Sequence, residues 1–224
     1  MGRVEFRVLE GVPPDDVRAF LATARRRPFE REAIVFHHGD AAETLHLITK
    51  GRFAVRIVTP FGRSAMLAIR GPGETFGEFA LLATDARRAV TVAALEPGET
   101  LSIGRDAFMD LARRYPQLKD VLVALLAERL RYADERIVAA HFLDADARVR
   151  WALLQLVRTY GCGDEVVVPL TQENLAELAG TARGTVNRVL NEEQGRGVVA
   201  VERGRVRVLS AEKLAARVRG LPRL

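Results

Sequence analysis

Apolar residues recur along this 224-residue chain with two different periods, and the change falls near Arg105. From residue 29 to about 104 the period is two. In "TLHLITK", Leu45, Leu47 and Thr49 share one face; in "RFAVRIV", Phe53, Val55 and Ile57 do the same. Turn residues interrupt these runs at Gly39-Asp40, Lys50-Gly51, Pro60-Phe61-Gly62, Gly71-Pro72-Gly73 and Pro97-Gly98. Short strands at this spacing predict a closed or double-layered antiparallel β structure, with Gly39, Gly51 and Gly62 supplying the positive φ of tight turns. Residues 1–26 read as a short helical or irregular lead-in, in which Asp15 and Asp16 open "VRAFLATARRR".

Beyond Arg105 the pattern is helical. Pro116 suits a first turn, where its missing N–H costs little. Leu122, Leu126, Leu130, Ala133 and Ile137 form one apolar stripe; Leu118, Val121 and Leu125 form a second on the first half of the same helix. A helix of about 25 residues with two apolar sides must pack on its own β domain and on something else. A second copy of the chain at a two-fold axis is the economical partner, and burial within one subunit is the alternative. "FLDADARVRWALLQLVRTYG" then opens a new helix, capped by Asp144 or Asp146 and ended by Gly161 and Gly163. A boundary at 141–145 divides the chain into 1–116, 117–141 and 142–224.

"LTQENLAELAGTARGTVNRVLNEEQGRG" carries the sharpest local pattern. A short helix from Gln172 to Ala179 buries Leu175 and Leu178, and Ala176 is small where a second helix must cross. Gly180 supplies the turn, and the second helix turns Val186, Val189 and Leu190 inward. This is a helix-turn-helix pattern. Arg183, Thr185, Asn187 and Arg188 fall on the outer side of the second helix near the end that enters a major groove; arginine matches guanine O6 and N7. Thr171 and Gln172, at the start of the first helix, join the candidate DNA contacts. "VVAVERGRVRVLS" follows as two alternating strands about Arg203-Gly204, a basic wing whose Arg203 and Arg205 can lie along phosphates. An αα-hairpin with a solvated basic face is the bland alternative.

Composition narrows the classes. Hydrophobic residues make up 48% and charged residues 28%, which is the globular range, and no apolar run approaches the ~18 residues of a membrane helix. "MGRVEFRVLEGV" has no signal-peptide core, and Phe6 stands where N-myristoylation needs Ser or Thr, so the expectation is a cytoplasmic protein without a membrane partner. One cysteine, Cys162 in the "YGCGD" loop, excludes an internal disulfide and a multi-thiolate cluster. His37, His38, His46 and His141 show no metal-ligand spacing. The net charge is +5, and residues 166–224 hold ten Lys/Arg against six Asp/Glu, which permits nucleic-acid binding. In "GEFALLATDARRAV", Glu78 and the Arg87-Arg88 pair suggest an anion pocket, a catalytic acid or a solvated loop. No nucleophile, second carboxylate or metal cluster accompanies Glu78, so enzyme chemistry is not expected.

A β domain, a long helix, a hinge and a winged helix-turn-helix in this order resemble the cyclic AMP receptor protein/fumarate-nitrate regulator (Crp/Fnr) family of bacterial transcription regulators. The resemblance covers almost the whole chain and is most specific in "GEFALL" followed by Arg88, "FLD" at 142–144 and "TARGTVNRVL" at 181–190. It implies an α+β chain: a jelly-roll-like antiparallel β-roll that binds a cyclic nucleotide, a dimerisation helix and a winged helix-turn-helix. It also implies a homodimer, double-stranded DNA with a two-fold operator as partner, and RNA polymerase as a further partner. A sensor acting through protein contacts is the competing class. The fumarate-nitrate branch's iron–sulfur cluster needs several cysteines, which one cannot supply.

In the family, Gly77, Glu78, Phe79 and Ala80 would cradle the ligand, with backbone N–H groups near the cyclic phosphate, Glu78 accepting from a ribose hydroxyl and Arg88 pairing with phosphate. Three donors depart from the cyclic AMP pattern: Ala89 replaces a Ser or Thr beside Arg88, and Ala133-Asp134 replaces the Thr-Ser pair that meets adenine. These departures speak against cyclic AMP specificity. Another nucleotide-like anion, weak cyclic AMP binding, or Arg88 pairing with Glu78 in a ligand-free pocket are the possibilities that remain. Asp134 is expected to be partnered or exposed. Gly184 replaces the family's Glu that accepts from cytosine N4, so weaker discrimination is expected at that base.

Overall fold

The computed structural model describes residues 4–59, 61–62, 64–78, 81, 86–161 and 165–218. They form two compact units, Met1–Leu130 and Arg131–Leu224. In the first unit, α1 (Pro14–Ala22) starts with Asp15 and Asp16 in its first turn, where the N–H groups of the helix end favour negative charge. Eight strands follow: β1 (Arg25–Phe29), β2 (Ile34–Phe36), β3 (Thr44–Lys50), β4 (Phe53–Val58), β5 (Ser64–Arg70), β6 (Thr75–Phe76), β7 (Thr91–Ala94) and β8 (Gly98–Gly104). They build two four-stranded antiparallel sheets, ordered β1-β8-β3-β6 and β2-β7-β4-β5. Phe29, Phe36, Ile48, Phe53, Phe76 and Val92 from both sheets meet in one core, with Phe29 edge-on to Phe53 at 5.7 Å.

The alternating pattern needs two amendments. β3 is buried on both faces: Leu45 and Leu47 pack toward helices, while His46 and Ile48 face the other sheet. In β4 the register shifts between Val55 and Arg56, so Ile57 does not continue the buried face of Phe53 and is 43% exposed. Gly39, Gly51 and Gly62 do take positive φ.

α2 (Arg105–Arg114) and α3 (Gln117–Phe142) follow, with Pro116 immediately before α3. Leu118 is buried, and Leu122 and Leu125 pack beside it against the core of Phe20, Leu45, Phe108 and Leu111. Leu122 therefore belongs to the inner face, not to the outer stripe expected from sequence. The outer positions are Val123, Leu130 and Ile137, at intervals of seven and each more than half exposed.

In the second unit, α4 (Ala145–Tyr160) is capped by Asp144, whose carboxylate accepts from the Ala147 N–H at 2.8 Å. Asp146 is thereby left for another partner. Gly161 ends α4; Gly163 and Cys162 lie outside the described residues. α5 (Gln172–Ala179) and α6 (Arg183–Gly195) form the helix-turn-helix, with Leu175, Leu178, Val186, Val189 and Leu190 buried. β10 (Val199–Glu202) and β11 (Arg205–Val208) make the expected hairpin, and β9 (Val166–Val168) adds a third strand beside β11. α7 (Ala211–Ala215) follows. Among the described residues no helix is long and apolar enough to cross a membrane.

Candidate anion pocket and nucleic-acid interface

Gly77 follows β6 at φ +85°, a left-handed backbone that favours glycine. A Cβ there would stand 2.6 Å from Arg88 Nη1 and 2.9 Å from the Thr44 carbonyl oxygen, so this glycine lets the arginine pass. Arg88 is 5% exposed. Its Nη1 donates to the Thr44 carbonyl at 2.9 Å and more weakly to the Gly77 carbonyl at 3.4 Å, and its Nη2 donates to Thr44 Oγ1 at 2.9 Å. The guanidinium also lies 4.1 Å from the centre of the Phe36 ring. Burial pushes its pKa below the ordinary arginine value, against the pull of Asp40, Glu78 and Glu43.

Behind Thr44 the polar chain continues inward. Its hydroxyl, which accepts from Arg88, also shares a hydrogen bond with His46 Nε2 at 3.2 Å, and His46 Nδ1 shares one with Thr100 Oγ1 at 3.1 Å. His46 stacks on Phe76 at 5.0 Å. Burial first, then the charges of Arg88 and Arg27, push its pKa down to about 3, which keeps it neutral.

Glu78 is also buried, and it pairs with Arg129 of α3 rather than with Arg88. Arg129 in turn donates to the Thr75 carbonyl at 2.7 Å. The expected alternative of a mutual Arg88–Glu78 pair is therefore corrected: each side chain has taken a different polar neighbour. Two buried atoms are left over. Arg88 Nε and Glu78 Oε2 have no hydrogen-bond partner among the described residues.

The structure thus brings Gly77, Glu78 and Arg88 together. Phe79 and Ala80 lie outside the described residues, Ala89 is exposed beside Arg88, and Asp134 is exposed on α3 in the second unit. Thr44, His46 and Arg129 were not foreseen from sequence, because no local pattern marks a partner in a distant element.

The second unit builds a basic surface. Thr171 caps α5 by accepting from the Asn174 N–H at 3.1 Å, and Gly180 ends that helix at φ +62°. Arg136 donates to the Leu178 carbonyl at 3.0 Å and Arg148 to the Ala179 carbonyl at 3.2 Å, so two cations hold the C-terminal turn of α5. On α6, Arg183, Asn187 and Arg188 are exposed and Thr185 is half-buried. Gln172 Nε2 reaches Asn187 Oδ1 at 3.4 Å. A cleft of about 450 Å³ runs between the helices and the wing, lined by Thr171, Gln172, Arg183, Arg203 and Arg205.

Not every basic group is equally available. Arg205 donates to Glu202 at 2.6 Å within the wing, and Arg188 is held by Asp146. Below the surface, Glu193 is fully buried and pairs with Arg150 Nε at 2.6 Å and Arg217 Nε at 2.9 Å. A carboxylate on the inner face of an amphipathic helix was the only sequence signal for that cluster.

Residues 26–115 match the cyclic nucleotide-binding domain family, and residues 147–217 match the Crp-like helix-turn-helix domain family. The chain is 36% identical over 207 residues to the cyclic AMP receptor protein of Thermus thermophilus, covering 92% of this chain and 94% of that one. It is 31% identical over 216 residues to a CRP-like cAMP-activated global transcriptional regulator of Mycobacterium tuberculosis, covering 95% and 96% of the two chains. Among solved structures, FixK2 from Bradyrhizobium japonicum shares the fold at a TM-score of 0.77 and 18% identity, covering 90% of this chain and 98% of that one.

Proposed function

The chain belongs to the Crp/Fnr family of transcription regulators, and from that premise we propose that it acts as a homodimer whose β-roll senses a cyclic-nucleotide-like anion. In this reading residues 1–116 take the effector, 117–141 pair two copies, and 142–224 bind a two-fold DNA operator. The observation that carries the effector reading is the pair of leftover buried atoms flanking Gly77. Among the described residues, Arg88 Nε lacks an acceptor and Glu78 Oε2 lacks a donor. A ligand that carries a phosphate and a neighbouring hydroxyl supplies both, which describes a ribose cyclic phosphate. Val123, Leu130 and Ile137 support the dimer: exposed apolar residues every seventh position form the seam of a parallel helix pair. Arg183, Asn187 and Arg188 on the outer face of α6 support base reading.

One observation favours a second reading of the pocket. Both terminal nitrogens of Arg88 already have acceptors, and Glu78 already has Arg129. A pocket satisfied to this degree suits a regulator that binds DNA without an effector. Calorimetric titration of the full chain with cyclic AMP and cyclic GMP separates the two. Saturable heat with either nucleotide, lost in Glu78→Gln, carries the effector reading; no heat with either carries the second. Binding-site selection from genomic fragments tests the DNA end. The expected product is a palindrome with guanine retained in each half-site and weak discrimination opposite Gly184. A selection that enriches nothing overturns the DNA reading.

A further inference from the structure

The two arginines that α6 presents for base reading are held in opposite ways. Arg183 is exposed and makes no ion pair among the described residues. Arg188 is clamped end-on: its Nη1 donates to Asp146 Oδ2 at 2.7 Å and its Nη2 to Asp146 Oδ1 at 2.5 Å. Asp146 comes from the first turn of α4, where Asp144 has already taken the capping role, so the helix start does not require its carboxylate. Both partners lie within one compact unit.

An acid at this place is costly for plain DNA affinity. Duplex backbones attract lysine and arginine and repel carboxylates, and an arginine engaged by an acid cannot neutralise a phosphate. The clamp has a chemical advantage instead. A guanidinium has five N–H groups arranged in forks, and an end-on carboxylate occupies one from each terminal nitrogen. The side fork, made of Nε–H and the outer N–H beside it, makes no hydrogen bond among the described residues. Its two parallel donors match the O6 and N7 acceptors of guanine. A long side chain with several rotatable bonds is thereby fixed before the DNA arrives, which lowers the ordering cost of the contact.

We propose that Asp146 is a specificity-determining positioning residue: it orients Arg188 for one guanine in each half-site and, by its charge, weakens binding to duplexes that do not offer that guanine. The proposal rests on the DNA-binding reading above. Its chemistry is also visible in the acid itself, because the hydrogen bonds and charge of Arg188 hold the Asp146 carboxyl below its ordinary pKa.

The test uses the full chain, its selected operator, and a scrambled duplex of equal length and composition. Affinities for both are measured by fluorescence anisotropy across a salt series. In Asp146→Asn, binding to scrambled DNA is expected to tighten several-fold and the slope of log K against log salt to steepen by about 0.9. The ratio of operator to scrambled affinity falls by about tenfold, with the loss confined to the one G·C position per half-site that Arg188→Ala also relaxes. The double variant relaxes that position no further. Asp146→Glu keeps the charge and so keeps the low affinity for scrambled DNA, which separates the charge effect from damage to the fold. An Asp146→Asn protein with unchanged slope and ratio overturns the proposal, as does one that loses discrimination evenly over all positions. A wild-type chain that enriches no duplex fails differently: it removes the DNA reading itself.

Discussion

Each unit of the chain buries one arginine among the described residues, and the two are neutralised in opposite ways. Arg150, 7% exposed, meets Glu193 and Glu192 at 2.6 and 3.1 Å. Arg88, 5% exposed, meets carbonyl and hydroxyl oxygens and an aromatic ring, but no carboxylate of the described residues. A desolvated cation without a directly bonded carboxylate is unfavourable, and such a site fits a place where a bound anion uses the charge. Arg150 therefore reads as a fastener between α4 and α6, while Arg88 reads as a charge kept for an anion. On the proposed function, the same residue type, equally buried, serves structure in one unit and recognition in the other.

The strongest way to break this comparison is to remove the acid that balances Arg150. Glu193→Ala takes the fully buried carboxylate from Arg150 and leaves it, and the half-buried Arg217, only the partly exposed Glu192 among the described residues. Breaking a buried pair from one side costs about 3–5 kcal/mol. Urea unfolding followed by the fluorescence of Trp151, which sits in the same unit, is expected to show that loss. A change below about 1 kcal/mol, the range of an exposed pair, means that the cluster is solvated and the contrast with Arg88 is false.

Acid titration probes the other side. His46 has a pKa near 3 in the fold and an ordinary value of 6.5 when exposed. Between these values the unfolded chain binds the extra proton, so stability is retained above pH 6.5 and declines as pH falls from there toward 3. From pH 7 to pH 5 this amounts to about 2 kcal/mol. His46→Phe, which keeps the ring against Phe76, is expected to lack that portion of the acid-side loss. If the two proteins lose stability in parallel, His46 is not held neutral behind Arg88.

These contrasts explain what the sequence could and could not disclose. The helix-turn-helix was legible to the residue because its signals are local: Thr171 before the helix, Gly180 after it, and an apolar rhythm between them. The two-sheet domain was legible from turns, except where β3 buries both faces and a bulge turns Ile57 outward. The candidate sites were legible as residue types, but not as partnerships. Thr44 lies 44 residues from Arg88, Asp146 lies 42 from Arg188, and Glu193 lies 43 from Arg150. Nothing in a linear pattern marks which distant oxygen a guanidinium will choose, so Asp146 looked like a spare cap and Glu78 like a partner for Arg88.

Arg88→Met gives the smallest change in stability and the clearest discrimination. The substitution removes the hydrogen bonds to Thr44 and the contact over Phe36, each worth about 1 kcal/mol. It also removes the unfavourable burial of an unbalanced charge, and a thioether packs well on an aromatic ring. Replacing a buried ion by an apolar group of similar shape is often close to neutral, so the net cost is expected at or below about 1 kcal/mol. Thr44 keeps His46 as a partner for its hydroxyl, which limits the number of groups left unsatisfied. Unfolding in urea alongside Glu193→Ala makes the comparison direct, and titration with cyclic nucleotides is expected to show no binding. A loss of stability equal to that of Glu193→Ala makes Arg88 a structural fastener like Arg150, and the pocket around Gly77 then needs no ligand to account for it.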